Sequence, residues 1–347
     1  MSTQATWYAR MAFTAVAGVV SVAGLQSGRA QQLVTLQKTR AAVAGVGGVA
    51  VEAINDVILI RDRIVALEGE TNSLLVLSTD GRLLSRKSNT GADAAMLGYP
   101  IQMAPVGDHE LVVLDAQKPR LARFALQNDS LQLLSVLRLS SLTGVTGACA
   151  LGGQTFVLGR TTPPEKSKLL HAINPADATV RYSFGDGFGE AKDEFAPIFY
   201  GAGKLLCLSR EQRLVIASEN YPEVRAYDAQ GTLLWSRSLP GFRPVTYQQV
   251  KRGSFRYNMP EDGLWDATVS VFQPADGLIA VQVGRRKGSV AGTKFTTIQT
   301  LLLSARDGSI VHVQRDVPFV KSAGAGRLFS VDDIGTLWFV SHRVEDR

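Results

Sequence analysis

Cysteine, histidine and aromatic residues are scarce in this chain of 347 residues: two Cys, four His, and 7% Phe, Trp and Tyr. The four histidines (His109, His171, His312, His342) stand far apart, with no H-x-H or H-E-x-x-H pair to announce a zinc site. No G-x-S-x-G elbow marks a nucleophilic serine. The Gly-rich stretches 144–153 and 284–292 lack the Lys-Ser/Thr ending of a phosphate loop, and they read as turns. Beyond the N-terminus there is no second long apolar run.

The N-terminus carries the one such run. Residues 11–25 (MAFTAVAGVVSVAGL) follow Arg10 and are too short to span a bilayer, which needs about 20 apolar residues. Gly28 and Ala30 supply small residues for cleavage, so residues 1–30 read as a secretory signal peptide and 31–347 as the mature chain. No twin-Arg pair precedes the run and no Cys follows it, which argues against Tat export and a lipid anchor. The expected location is periplasmic or secreted, with no stable membrane span after cleavage and a monomeric state. There Cys149 and Cys207 can oxidise to a bridge or remain as buried thiols.

What remains is apolar and turn-rich. The chain is 45% hydrophobic, 20% charged and holds 33 glycines, enough for a core and many tight turns. Net charge is +6, and the basic residues are scattered, so a nucleic-acid partner is not expected.

One phrase recurs. Residues 55–87 (NDVILIRDRIVALEGETNSLLVLSTDGRLLSRK) read strand, strand, strand, Asp80-Gly81 turn, strand. Related units run over 110–137, 155–184, 212–237 and 276–313, and a shorter one starts at Arg327. The turns at Gly81, Asp129, Asp177 and Gly231 are spaced by 48, 48 and 54 residues, and the next, at Gly308, follows after 77. A period near 50 with four strands per unit predicts an all-β propeller of four-stranded antiparallel blades. Six blades are expected; a seventh hidden in 241–275 is the alternative. Because the last unit is short and an open ring would expose sheet edges, Leu33–Thr39 is expected to complete the last blade and close the ring.

The phrase INDVILIRDRIVALEGETNSLLVLSTDGRLL resembles blades of bacterial six-bladed propellers of the NHL-repeat and TolB-like type. YSFGDGFGEAKDEF (182–195) is similar to the Gly-rich segment between blades in those proteins. The resemblance implies a fold but no single activity. Some six-bladed propellers bind calcium on the axis and hydrolyse lactones or esters, using a Glu, an Asn and an Asp from separate blades. Here Glu52, Asn55, Asp56 and Asp266 are the candidate oxygen ligands for a calcium-dependent hydrolase, the alternative function. Asn55 and Asp56 also suit an ordinary turn before a strand.

One insertion departs from the repeat. Residues 241–265 (GFRPVTYQQVKRGSFRYNMPEDGLW) interleave basic and aromatic side chains, the composition of interface hot spots. Arg243, Tyr247, Lys251, Arg252, Arg256 and Tyr257 are the candidate contacts. A hairpin that merely covers an edge would have the same composition. The expected function is a non-catalytic binding or scaffold module of the cell envelope, recognising a protein or an anionic glycan through loops on one face.

Overall fold

A computed structural model describes residues 33–41, 54–69, 71–88, 97–161, 168–189, 195–251, 254–288, 295, 297–324, 327–331 and 337–345. The expected signal peptide and the candidates Glu52 and Arg252 lie outside the described residues.

Short apolar runs punctuated by Gly, Asp and Asn become strands, and nearly every strand hydrogen-bonds to the next in sequence. After β1 (Leu33–Ala41), the first sheet holds β2 (Ile54–Ile60), β3 (Arg63–Glu68), β4 (Ser73–Ser78) and β5 (Leu83–Lys87). The second holds β6 (Pro100–Val106), β7 (Glu110–Asp115), β8 (Arg120–Gln127) and β9 (Ser130–Arg138). The third holds β10 (Leu142–Leu151), β11 (Gln154–Thr161), β12 (Leu170–Ile173) and β13 (Val180–Phe184). A short helix, α1 (Ala196–Gly201), precedes the fourth: β14 (Gly203–Leu208), β15 (Arg213–Ser218), β16 (Glu223–Asp228) and β17 (Leu233–Ser238). A separate hairpin, β18 (Thr246–Lys251) with β19 (Ser254–Asn258), comes before the fifth sheet of β20 (Leu264–Phe272), β21 (Leu278–Lys287), β22 (Thr297–Ser304) and β23 (Ile310–Arg315). These five sheets are each one contiguous stretch of chain. A composite sheet joins β24 (Val320–Gly324), β25 (Arg327–Val331) and β26 (Leu337–Glu345) to β1 from the other end of the chain.

The fold is therefore a β-propeller of four-stranded antiparallel sheets. Residues 241–275 contribute a two-stranded hairpin and β20 but no further four-stranded sheet, and the insertion is shorter than expected because Leu264 and Trp265 already belong to β20. β1 pairs antiparallel with β26, Leu33 opposite Glu345, so the N-terminal strand supplies the outer edge of the composite sheet.

Packing explains why the strands read as they do. Strands β3 and β4 are almost wholly buried because neighbouring sheets cover both faces, whereas the outer strands β5 and β17 are half-exposed. Apolar clusters fill each interface in turn: Val65 and Leu74 against Val113 and Phe124, Leu121 against Val157, Phe156 against Leu214, Val215 against Val281, Phe272 against Val320, and Ile64 against Phe329. The last pair joins the composite sheet back to the first.

The first strands of the sheets (β2, β6, β10, β14, β20, β24) lie side by side and start at a common end. Met103 N–H donates to Asp56 Oδ2 (2.6 Å), Ala148 N–H to Gln102 Oε1 (3.1 Å) and Gly203 N–H to Thr146 Oγ1 (3.3 Å). At the opposite end of β10 and β14, Cys149 and Cys207 form a disulfide, with Cα atoms 5.7 Å apart.

Candidate binding face

Strand alternation assigns every connection to one of two ends. Connections between the first and second strands of a sheet, and between the third and fourth, fall at the end where first strands finish. None of these is longer than the six residues 174–179. For all other pairs of successive strands the described strand ends lie where first strands begin, and these include the pairs separated by the most residues: β5 to β6, β11 to β12, β13 to β14, β17 to β20 and β21 to β22. Loops on a rigid scaffold are where recognition concentrates, so the long-connection end is the candidate face.

The inserted hairpin is docked there by aromatic packing. Tyr247 lies opposite Tyr257, and Gln249 opposite Phe255, so the three aromatics share one face of the ribbon. That face meets α1 and the residue before it. Phe255 stacks on Phe195 at 3.8 Å between ring centroids, Tyr247 packs edge-on to Phe195 at 4.9 Å, and Tyr257 lies 5.6 Å from Phe199. Tyr200 and Tyr221 extend the cluster. The sequence reading missed α1; the Ala196-Pro197 pair was the available signal, since Pro is suited to the first turn of a helix.

The five described hairpin candidates therefore separate. Arg243 is spent on structure: Nη1 and Nη2 donate to Asp262 (2.8 and 2.7 Å), which holds the Asp262 carboxyl down to about 2, and its N–H donates to Asp266 Oδ2. Tyr247 is half-buried in the aromatic cluster. Lys251, Arg256 and Tyr257 are exposed, and Val250 beside them is 66% exposed. Tyr99 and Ile198 add exposed apolar surface at the same end.

The oxygen ligands expected for calcium do not converge among the described residues. Asp266 is buried and accepts from Arg285 Nε (2.8 Å), Arg285 Nη2 (2.9 Å) and the Arg243 N–H, so both its oxygens are engaged. Asn55 lies against Gly69, where a Cβ would meet its side chain. No group of three His, Cys, Asp or Glu among the described residues is placed to hold a metal ion. His171 is a core residue bonded to Ser183 and to the Gly159 carbonyl, and burial lowers its pKa.

Charges gather at this end in two classes. Three buried carboxylates are paired: Glu68 with Arg86, Asp115 with Arg120 (2.9 Å) and Asp266 with Arg285 (2.8 Å). Asp56 has no cation partner among the described residues. Its oxygens accept from the Val57 and Met103 N–H groups, and burial still pushes its carboxyl up to about 7. On the other side stand Lys204, Lys321, Arg160 and Arg286, none ion-paired among the described residues. Desolvation pulls Lys321 down to about 8 and lowers Arg160 and Arg286. Arg286 lies over the rings of Trp265 (5.0 Å) and Phe295 (4.7 Å) with Nε unpartnered. The sequence offers Asp56 as a calcium ligand or an ordinary turn residue and does not single out Lys204 or Lys321. Each of the three sits second or third in the first strand of its sheet.

No family model and no curated protein matches this chain. Solved structures match its fold. A member of the DUF4221 family from Bacteroides vulgatus is 9% identical, with a TM-score of 0.56 over 92% of this chain and 98% of that one. A candidate exported protein from Bacteroides fragilis is 8% identical, with a TM-score of 0.60 over 91% of this chain and 96% of that one. At such identities the likeness is one of fold. Among the described residues, no helix is long and apolar enough to cross a membrane.

Proposed function

We propose that this chain is an exported six-bladed propeller, of the NHL-repeat or TolB-like kind, that serves as a non-catalytic binding module of the cell envelope. The observation that carries the reading is the gathering of all long connections, the docked hairpin and the exposed Tyr99, Ile198, Val250 and Tyr257 at one end of the ring. The unbroken cycle of sheet interfaces supports the blade count. The candidate exported protein of similar fold, the cross-blade disulfide and the signal-like N-terminus all favour a location outside the cytoplasm.

The partner is a protein or glycan surface of negative charge that meets the outer edge of the hairpin, with Lys251, Arg252, Arg256 and Tyr257 as its contacts. Lys251 and Arg256 are exposed on a ribbon that aromatic stacking holds in place, which limits the ordering cost of binding. The test is affinity capture from envelope extract with the exported chain as bait, beside a bait carrying Lys251→Ser, Arg252→Ser and Arg256→Ser. Arg243 is left intact because its ion pair with Asp262 holds the hairpin base. A partner retained by the first bait and lost by the second supports this reading. Equal retention by both baits removes the hairpin from it.

A further inference from the structure

We propose that the axial mouth of the ring, at the long-connection end, binds a small anion of the carboxylate or phosphate class between Lys204 and Lys321. This goes beyond the partner surface above and depends on none of its residues.

The placement of the two lysines follows from the first strands. Lys204 is the second residue of β14 and Lys321 the second of β24, so both sit where the ring opens toward the long connections. Both are half-buried. Asp56, third in β2, feels the charge of both lysines, and Lys321 feels Lys204. The strands β2 and β14 belong to the first and fourth sheets, so groups from across the ring converge on one place.

One residue deeper the ring is filled. Gln102 of β6 reaches past β10: its Nε2 donates to the Leu205 carbonyl of β14 (3.4 Å), while its Oε1 accepts from Ala148 of β10 (3.1 Å). A Cβ on Gly147 would come within 2.9 Å of Leu205 Cβ and 3.2 Å of Gln102 Oε1, so backbone and side chains already fill this level. A ligand would enter from the long-connection end and stop above Gln102.

Charge then selects the ligand. Neither ammonium has a hydrogen bond or ion pair with a described residue, and Lys321 Nζ has only the Phe319 ring, 4.8 Å away. Asp56 turns its two oxygens to backbone N–H groups. Enclosed cations without partners are unfavourable, and an anion between them would supply the missing acceptors. Arg160 and Arg286, unpaired on the second strands of the third and fifth sheets, add positive field. Glu219 lies near enough to Arg286 to be felt, and it offsets part of that field.

The experiment is isothermal titration of the full exported chain with inorganic phosphate and, separately, with succinate, each against sodium chloride at matched ionic strength. Saturable one-site binding of either anion is expected. Lys204→Gln and Lys321→Gln should each weaken it about tenfold or more, the loss of one enclosed charge-assisted hydrogen bond. Lys251→Gln on the hairpin should leave it unchanged. Lys321→Arg keeps the cation and should retain binding, which guards against a variant that merely misfolds. No saturation beyond chloride for both anions, or affinity unchanged from the parent in the two Gln variants, overturns the proposal. Neither result bears on capture through the hairpin.

Discussion

The two ends of the ring are built by different rules. At the short-turn end the first sheet is sewn to the second and the fourth to the fifth. Arg61 meets His109, Arg63 Nε reaches Asp129 (2.5 Å), Arg210 meets Asp276, and Arg213 donates to the carbonyls of Ala305 and Arg306. Aspartates there serve as turn formers: Asp177, Asp228 and Asp307 each accept from the N–H two residues on. At the long-connection end, charge is enclosed and partly uncompensated, and the connections are long enough to vary. One end is spent on stability; the other keeps groups whose placement opposes stability, a pattern that marks functional surfaces.

Titration sharpens this contrast most. The folded-state pKa of Asp56, about 7, lies above its ordinary 3.8. Its contribution is fully present below 3.8 and is lost as pH rises through 7, on the order of 4 kcal/mol. Lys321 mirrors it: its folded value of about 8 lies below 10.5, so stability lost as pH falls through 8 is recovered above 10.5. Asp307 at the other end is held near 2 by the N–H and hydroxyl of Ser309, so its contribution is lost only as pH falls through 4 toward 2. Denaturant unfolding at stepped pH should therefore show stability falling between pH 4 and 7, with Asp56→Asn flattening that slope. A slope unchanged in the variant would place its origin elsewhere.

The next largest effect belongs to the short-turn end. The Cys149–Cys207 bridge closes a separation of 58 residues between the first strands of neighbouring sheets. Replacing both with Ser should lower unfolding free energy by about 3 kcal/mol, read as a shift in denaturant midpoint. Anion binding at the mouth should survive, because the bridge lies at the far end of β10 and β14. Loss of anion affinity in the folded double variant would show that the two ends are coupled.

A single glycine tests the sewing itself. Gly308 adopts φ +70°, and a Cβ there would meet Trp235 of the preceding sheet at 2.5 Å. Gly231 repeats the device against Phe184, with φ +94°. Gly308→Ala should destabilise by about 2 kcal/mol, from the left-handed backbone and the displaced ring together. Thermal unfolding with Trp235 fluorescence reads both.

The same division explains what was legible in the sequence. Asp80-Gly81, Asp228 to Gly231 and Asp307-Gly308 are local signals, and each stands at a turn in the structure. The period they set gave the four-stranded units. The closing strand was legible because the unit from Arg327 was too short and 33–39 alternated. The mouth was not legible, because Asp56, Lys204 and Lys321, far apart in sequence, feel one another's charge only in the folded ring. Each stands next to an apolar residue near the start of a first strand (Asn-Asp-Val, Gly-Lys-Leu, Val-Lys-Ser), which was the available clue. The ion pair of Arg243 was not legible either, because composition does not show a partner nineteen residues ahead, at Asp262.

The smallest stability effect should carry the largest functional one. Lys251 and Arg256 project from a ribbon whose opposite face is fixed by Phe195, Phe199 and Phe255. Changing both to Ser removes no buried contact, so unfolding free energy should stay within about 0.5 kcal/mol of the parent. Phe255→Ala, by contrast, removes the 3.8 Å stack and should loosen the whole hairpin. If the cations make the contacts, the Ser pair abolishes partner capture at parental stability, and Phe255→Ala weakens capture by unsettling the platform. If the hairpin only shields the edge between the fourth and fifth sheets, the order reverses: the Ser pair leaves capture intact, and Phe255→Ala shows its effect in stability.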